Sequence, residues 1–190
     1  SIGKNAFTRC NSLESVDFSQ ATFTTLDDVF YSLPKLKNIT LPETLTSISE
    51  GAFKYCKALE QVTFPASLTT IGESAFESCT KLKVADMSKT QIKELPKRLF
   101  ANCESLEQVD FPSSLTTIGI ADFLNCSALA KVDLYNTALT TIGDSAFVNA
   151  KGLTRIALPD TISSIGTDAF AIRSYEDFVP TFVSDNVMDK

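Results

Sequence analysis

Ile71-Gly72-Glu73-Ser74-Ala75-Phe76-Glu77-Ser78-Cys79-Thr80-Lys81-Leu82 recurs in near copies along the whole 190-residue chain. Its phenylalanine belongs to a column made of Phe7, Phe30, Phe53, Phe76, Phe100, Phe123, Phe147 and Phe170, with successive members 23 or 24 residues apart. Six residues after each Phe stands a Leu (Leu13, Leu36, Leu59, Leu82, Leu106, Leu129, Leu153), until Glu176 breaks the series at the eighth copy. A fixed period of this length predicts a solenoid, in which each turn buries its apolar residues against its neighbours. The period runs without a linker, so the expectation is one elongated unit over residues 1–173, with 174–190 as a C-terminal cap or frayed tail.

Around that unit the rest of each repeat falls into place. After the Leu comes an alternating segment such as Gln61-Val62-Thr63-Phe64, the period of a half-buried strand. Stacked turns place these segments side by side as a parallel sheet. Repeats two, three, five and seven then carry a proline (Pro42, Pro65, Pro112, Pro159). Repeats one, four and six are one residue longer here and carry Ser19, Ser88 and Tyr135 instead. Proline suits a strand end where the chain turns, because it fixes φ and donates no hydrogen bond. A β-branched stretch such as Leu68-Thr69-Thr70-Ile71 predicts a second short extended segment. The spacing of three between Phe, Cys and Leu predicts a short helical turn, opened at the position occupied by Gly72 and Pro96. The fold class is thus an α/β repeat of about eight turns, with helical turns and short extended segments away from the sheet.

Composition removes several functions. The net charge is −6 with no offsetting basic stripe, which argues against nucleic acid. No apolar run is long enough for membrane insertion within the chain. Of 14 Phe, eight lie in the column, so the aromatic content is mostly core. The opening Ser1-Ile2-Gly3 lies already inside a repeat and reads as a piece of a longer protein, with no signal segment to set its compartment. Five cysteines (Cys10, Cys56, Cys79, Cys103, Cys126) share one column in which Leu33 and Ala150 also appear. A column that accepts Leu and Ala is a packing column, so buried free thiols are expected rather than disulfides or a metal site. The chain also has no His.

The register Leu-x-x-Val-x-Leu-Pro-x-Ser-Leu-x-x-Ile-Gly-x-x-Ala-Phe-x-x-Cys, running from Ile2 to Phe170, resembles the BspA-like leucine-rich repeats of bacterial and protist surface proteins. The resemblance implies a sheet on the concave face of the solenoid. It also implies a cell-surface or secreted location and an adhesin-like role, with a host extracellular or surface protein or a glycan as partner. It carries no binding residues across. Where the usual leucine-rich pattern has Asn, the long repeats carry Ala21, Thr90 and Thr137, so its backbone-bonding Asn ladder is expected to be weakened or lost.

The outward positions of the sheet hold the candidate ligand-binding residues Lys83, Asp86, Asp110, Lys131, Asp133 and Arg155. Asp86, Asp110 and Asp133 fall on three successive strands, about 4.8 Å from one to the next, where like charges repel unless something compensates. Paired carboxylates at that spacing also suit a retaining glycosidase. The strip is open, however, and the chain lacks His, a phosphate loop and a nucleophile elbow, so no catalytic residue, enzyme activity, cofactor or metal is expected. The plain reading is a solvated strand face; the functional one is a binding surface on the concave sheet. A structural spacer displaying another domain of a longer protein is the alternative. Neither outward column has an exposed aromatic, which favours a protein over a glycan on this face.

Overall fold

The computed structural model describes residues 2–3, 6–172 and 181–183. Each turn of the chain contributes a three-residue strand and then a two-residue one. In chain order they are β1 Ser15–Asp17, β2 Thr25–Leu26, β3 Asn38–Thr40, β4 Ser47–Ile48, β5 Gln61–Thr63, β6 Thr70–Ile71, β7 Val84–Asp86 and β8 Glu94–Leu95. There follow β9 Gln108–Asp110, β10 Thr117–Ile118, β11 Lys131–Asp133, β12 Thr141–Ile142, β13 Arg155–Ala157, β14 Ser164–Ile165 and β15 Thr181–Val183. The result is a parallel solenoid of about seven turns of some 23 residues, with both extended segments where the sequence puts them. Residues 174–180 and 184–190, expected to cap or fray, lie outside the described residues; β15 between them pairs in parallel with β13.

The three-residue strands stack in register, Val16 on Ile39, Ile39 on Val62, Val62 on Ala85 and Ala85 on Val109. Their middle side chains point inward and the flanking ones outward, so the two-residue alternation of the sequence becomes an inside and an outside. The sheet is not continuous. Its strands pair as β1-β3-β5-β7-β9 and, separately, β11-β13-β15, while the two-residue strands pair as β2-β4-β6 and β8-β10-β12-β14. The core is the phenylalanine column, whose members Phe30 through Phe147 are at most 1% exposed. Successive rings stack with centroids 5.0 to 5.7 Å apart.

The expected helical turns do not form: among the described residues there is no helix. The spacing of three arises from a run of tight turns, in which Cys79 N–H donates to Phe76 O and Leu82 N–H to Cys79 O. The backbone at Ser74 and Ser78, two residues either side of Phe76, is left-handed, with φ of 55° and 63°. Arg98 and Asn102, Ala121 and Asn125, and Ser145 and Asn149 repeat the device. A helix cannot propagate through such residues. In exchange, alternate N–H groups point along the solenoid axis to the next turn: Ser74 to Lys97 O, Phe76 to Leu99 O and Ser78 to Ala101 O. A spacing of three fits a chain of tight turns as well as it fits a helix. The Gly column itself has no positive φ at Gly72, Gly119, Gly143 and Gly166, as the Pro96 substitution requires, and is needed for closeness: a Cβ on Gly119 would lie 2.7 Å from Leu95 O.

All five cysteines are free thiols. Cys56, Cys79, Cys103 and Cys126 are buried, and each donates its thiol to the carbonyl of the Phe one turn back, as Cys79 Sγ does to Phe53 O at 3.2 Å. Burial pushes the Cys56 thiol up to about 12. Cys10 departs from the expectation: it lies in the first turn, donates to no such carbonyl and is exposed.

Candidate functional site

The outer face of the three-residue strands carries the candidate residues, in or beside β7, β9, β11 and β13. Asp86 and Asp110 are direct register partners on β7 and β9, and Lys131 and Arg155 on β11 and β13. The face therefore sets like charges opposite one another twice, acidic on one pair of strands and basic on the next. Among the described residues none of the six forms an ion pair. The three-carboxylate strip is split, because the sheet breaks between β9 and β11 and no ladder joins Asp133 to Asp110.

The aspartates have local work to do. Ser88 donates both its N–H, at 3.0 Å, and its hydroxyl, at 2.6 Å, to Asp86 Oδ1. These bonds hold the Asp86 carboxyl below the usual aspartate range. Tyr135 N–H donates to Asp133 Oδ1 at 3.0 Å, and Ser19 N–H to Asp17 Oδ1 at 2.8 Å. The long repeats lack the proline found two residues after the strand in the short ones; they present an N–H there, and the aspartate satisfies it. Asp-x-Ser/Tyr and x-x-Pro are two solutions to one turn. Asp110, in a short repeat, instead accepts Gln108 Nε2 on both oxygens at 3.0 and 2.8 Å. Lys83, Lys131 and Arg155 make no side-chain hydrogen bond among the described residues.

Two shallow depressions lie at and beside the sheet break. One of about 350 Å³ is lined by Ser88, Asp110, Phe111, Asp133 and Asn136 among others; one of about 240 Å³ by Lys131, Asp133, Arg155 and their strand neighbours. Four of the six candidates thus come together around Asp133, while Lys83 and Asp86 line neither depression. Phe111 and Asn136 were not among the candidates: Phe111 follows β9 and packs partly buried against the core, and Asn136 lies in the turn of a long repeat. Among the described residues no three His, Cys, Asp or Glu side chains are grouped to hold a metal.

The segments away from the three-residue strands hold polar features that the periodicity hides. Asn125 Nδ2 donates to Asn102 Oδ1 at 2.8 Å, and Asn149 Nδ2 to Asn125 Oδ1 at 2.9 Å. The asparagine ladder missing from its usual place is therefore rebuilt on the left-handed residues, while Thr90 and Thr137 hydroxyls bond Met87 O and Leu134 O in the turns. Glu77, 5% exposed, is clamped by Arg98 Nη2 at 2.7 Å and Lys54 Nζ at 3.0 Å. Its burial would raise the carboxyl, but Arg98, Ser74 and Lys54 together hold it down at about 2. Asp122 stands in a column otherwise filled mostly by Ala52, Ala75, Ala146 and Ala169; it is fully buried, with both carboxyl oxygens unpartnered. Burial pushes its carboxyl well above the ordinary range.

A stack of parallel turns with columns of Leu and Phe and a strand on one face defines a leucine-rich repeat protein. The model of the BspA type leucine rich repeat region matches residues 1–95 and 93–181, in six copies. The chain belongs to this family. It is similar to a leucine-rich repeat protein of T. pallidum (26% identity, TM-score 0.71), over 80% of this chain and 72% of that one. It is also similar to one from Eubacterium ventriosum (30% identity, TM-score 0.66), over 89% of this chain and 48% of the other, so it spans about half the length of that protein. No curated protein matches the sequence significantly.

Proposed function

We propose that the chain is a non-enzymatic interaction module of a cell-surface or secreted protein, adhesin-like, which takes an extracellular protein ligand on the concave sheet between β7 and β13. The observation that carries this reading is the pair of uncommitted cations Lys131 and Arg155 beside Asp110 and Asp133 around the two depressions. Leucine-rich repeat solenoids serve as protein-interaction scaffolds, and their family supports the surface location. Clustered exposed charge of both signs favours a fast, salt-sensitive encounter over raw affinity.

The test is a screen of extracellular-matrix proteins by surface plasmon resonance with two variants beside the wild type. One carries Asp86→Asn, Asp110→Asn and Asp133→Asn, which keep an oxygen for the turn N–H groups while removing charge. The other carries Lys131→Ala and Arg155→Ala. A ligand of the wild type should associate more slowly with one variant or both, and with a weaker salt dependence. Unchanged kinetics in both would move the site off this face, and a wild type that binds none of the proteins would favour the spacer.

A further inference from the structure

The first two turns carry, away from the three-residue strands, a group of side chains that neither the core nor the outer sheet face uses. Tyr31 is 49% exposed, in contrast to the buried rings of the phenylalanine column. It is not loose: its ring packs perpendicular to that of Tyr55 on the next turn, with centroids 5.7 Å apart, and Lys54 Nζ sits 5.4 Å from the Tyr55 centroid. Beside Tyr31 lies a depression of about 300 Å³, lined also by Arg9, Asn11, Asp28 and Ser32. That is the lower end of the roughly 300–1,000 Å³ typical of small-molecule clefts.

Two properties of this lining point to a ligand. First, the polar groups of Arg9, Asn11, Asp28, Tyr31 and Ser32 make no side-chain hydrogen bond or ion pair among the described residues, although they share one small surface. Arg9 and Asp28, of opposite charge, do not reach each other across it. Second, Arg9 and Ser32 are held in the left-handed conformation, with φ of 66° and 56°, and their turns lock to the stack through backbone bonds such as Ser32 N–H to Lys54 O at 2.8 Å. The donors and acceptors are thus carried on fixed backbone.

We propose that this depression is a saccharide-binding site for an uncharged sugar, separate from the outer sheet face and independent of the function proposed for it. The apolar C–H face of a pyranose suits an exposed tyrosine ring. Its adjacent hydroxyls suit a carboxylate acceptor facing a forked guanidinium and an amide. The one cation and one anion of the lining cancel, which selects a neutral ligand. Binding here is therefore insensitive to salt, unlike an encounter on the concave sheet.

Saturation-transfer NMR with methyl α-mannoside, methyl β-galactoside and N-acetylglucosamine, each at millimolar concentration, tests this on the full chain. At least one sugar should show transfer to its ring protons that persists at high salt. Tyr31→Ala and Asp28→Asn should each weaken that binding about tenfold or more with unchanged melting curves, and Lys131→Ala should leave it intact. Should a variant lose its fold, Tyr31→Phe separates the roles: it keeps the ring and should retain most of the binding. Absence of transfer from all three sugars overturns the proposal, as does binding that survives Tyr31→Ala.

Discussion

Two buried carboxylates, one beside Phe76 and one beside Phe123, are treated in opposite ways. Glu77 has two cations within 3.0 Å and a carboxyl held at about 2. Asp122 has no well-formed hydrogen bond to either oxygen, and burial pushes its carboxyl well up even though the backbone of Phe100, Leu99 and Gly119 lies close enough to oppose it. The backbone around them is the same, since Ser74 and Ala121 are both left-handed and both Phe rings are fully buried. The difference is the column. Glu77 follows its Phe, in a column where Lys54 can meet it from the turn before and Arg98 from the turn after. Asp122 precedes its Phe, in a buried column where its neighbours are Leu99 on the turn before and Ala146 on the turn after. A solenoid offers a charged group neighbours only from the turns above and below, so position within the repeat decides whether a buried charge can be paired.

The largest effect belongs to the part the two regions share. Phe76→Ala and Phe123→Ala should each cost about 3–5 kcal/mol in urea unfolding, as truncating a buried aromatic does. Similar losses would show that the stack supports both turns alike and that the carboxylates make the difference. A loss below about 1 kcal/mol at either site would break the comparison at its base.

Next come the carboxylates themselves. Glu77→Ala removes charge-assisted bonds and should destabilise by about 1–3 kcal/mol. Asp122→Ala restores the residue used in five other turns and removes a buried carboxyl with no hydrogen bond, so it should stabilise at pH 7 by about 1–3 kcal/mol. Melts of both variants beside the wild type decide the matter. If Asp122→Ala is destabilising, Asp122 has a role in the core that its lack of partners conceals.

The smallest effect is the shape of the stability curve against pH. Glu77 has a folded pKa of about 2 against an ordinary 4.5, so its contribution is present above pH 4.5 and is lost as the pH falls through that window. Asp122 has a folded pKa above its ordinary 3.8. Below that value both states hold the proton; above it only the unfolded state releases it, and stability falls as pH rises. Glu77→Gln should flatten the acid limb alone and Asp122→Ala the rising-pH limb alone. If each variant leaves its own limb unchanged, the two groups do not titrate as their surroundings imply.

The strands were legible almost residue for residue, because an inside-outside alternation such as Gln61-Val62-Thr63 leaves little choice once its period is fixed. The turn after Ile71 was not, because tight turns and a helix both bring every third residue to one side. Proline in the short repeats was visible, but its counterpart was not: Asp17, Asp86 and Asp133 read as surface charge until their bonds to Ser19, Ser88 and Tyr135 are seen. This also changes the weight of the candidate site, since Asp86 and Asp133 are explained in part by the turns they close. Asp122 interrupts a column of alanines, a signal that was present in the sequence and is chemically loud. Tyr31 sits in a column with no common residue type, and Tyr55 interrupts a column of Ser and Asn, so the period alone gives neither a role.

The two ladders break at different levels, the two-residue strands between β6 and β8 and the three-residue strands between β9 and β11. Where β6 and β8 part, β5 and β7 remain paired; where β9 and β11 part, β10 and β12 remain paired. The stacked rings bridge both levels, Phe76 to Phe100 and Phe123 to Phe147. No plane across the rod therefore severs every bond between neighbouring turns. A repeat protein comes apart in halves when one interface is weak throughout. With its seams offset like joints in brickwork, this one should melt in a single step, its two ends coupled through the middle.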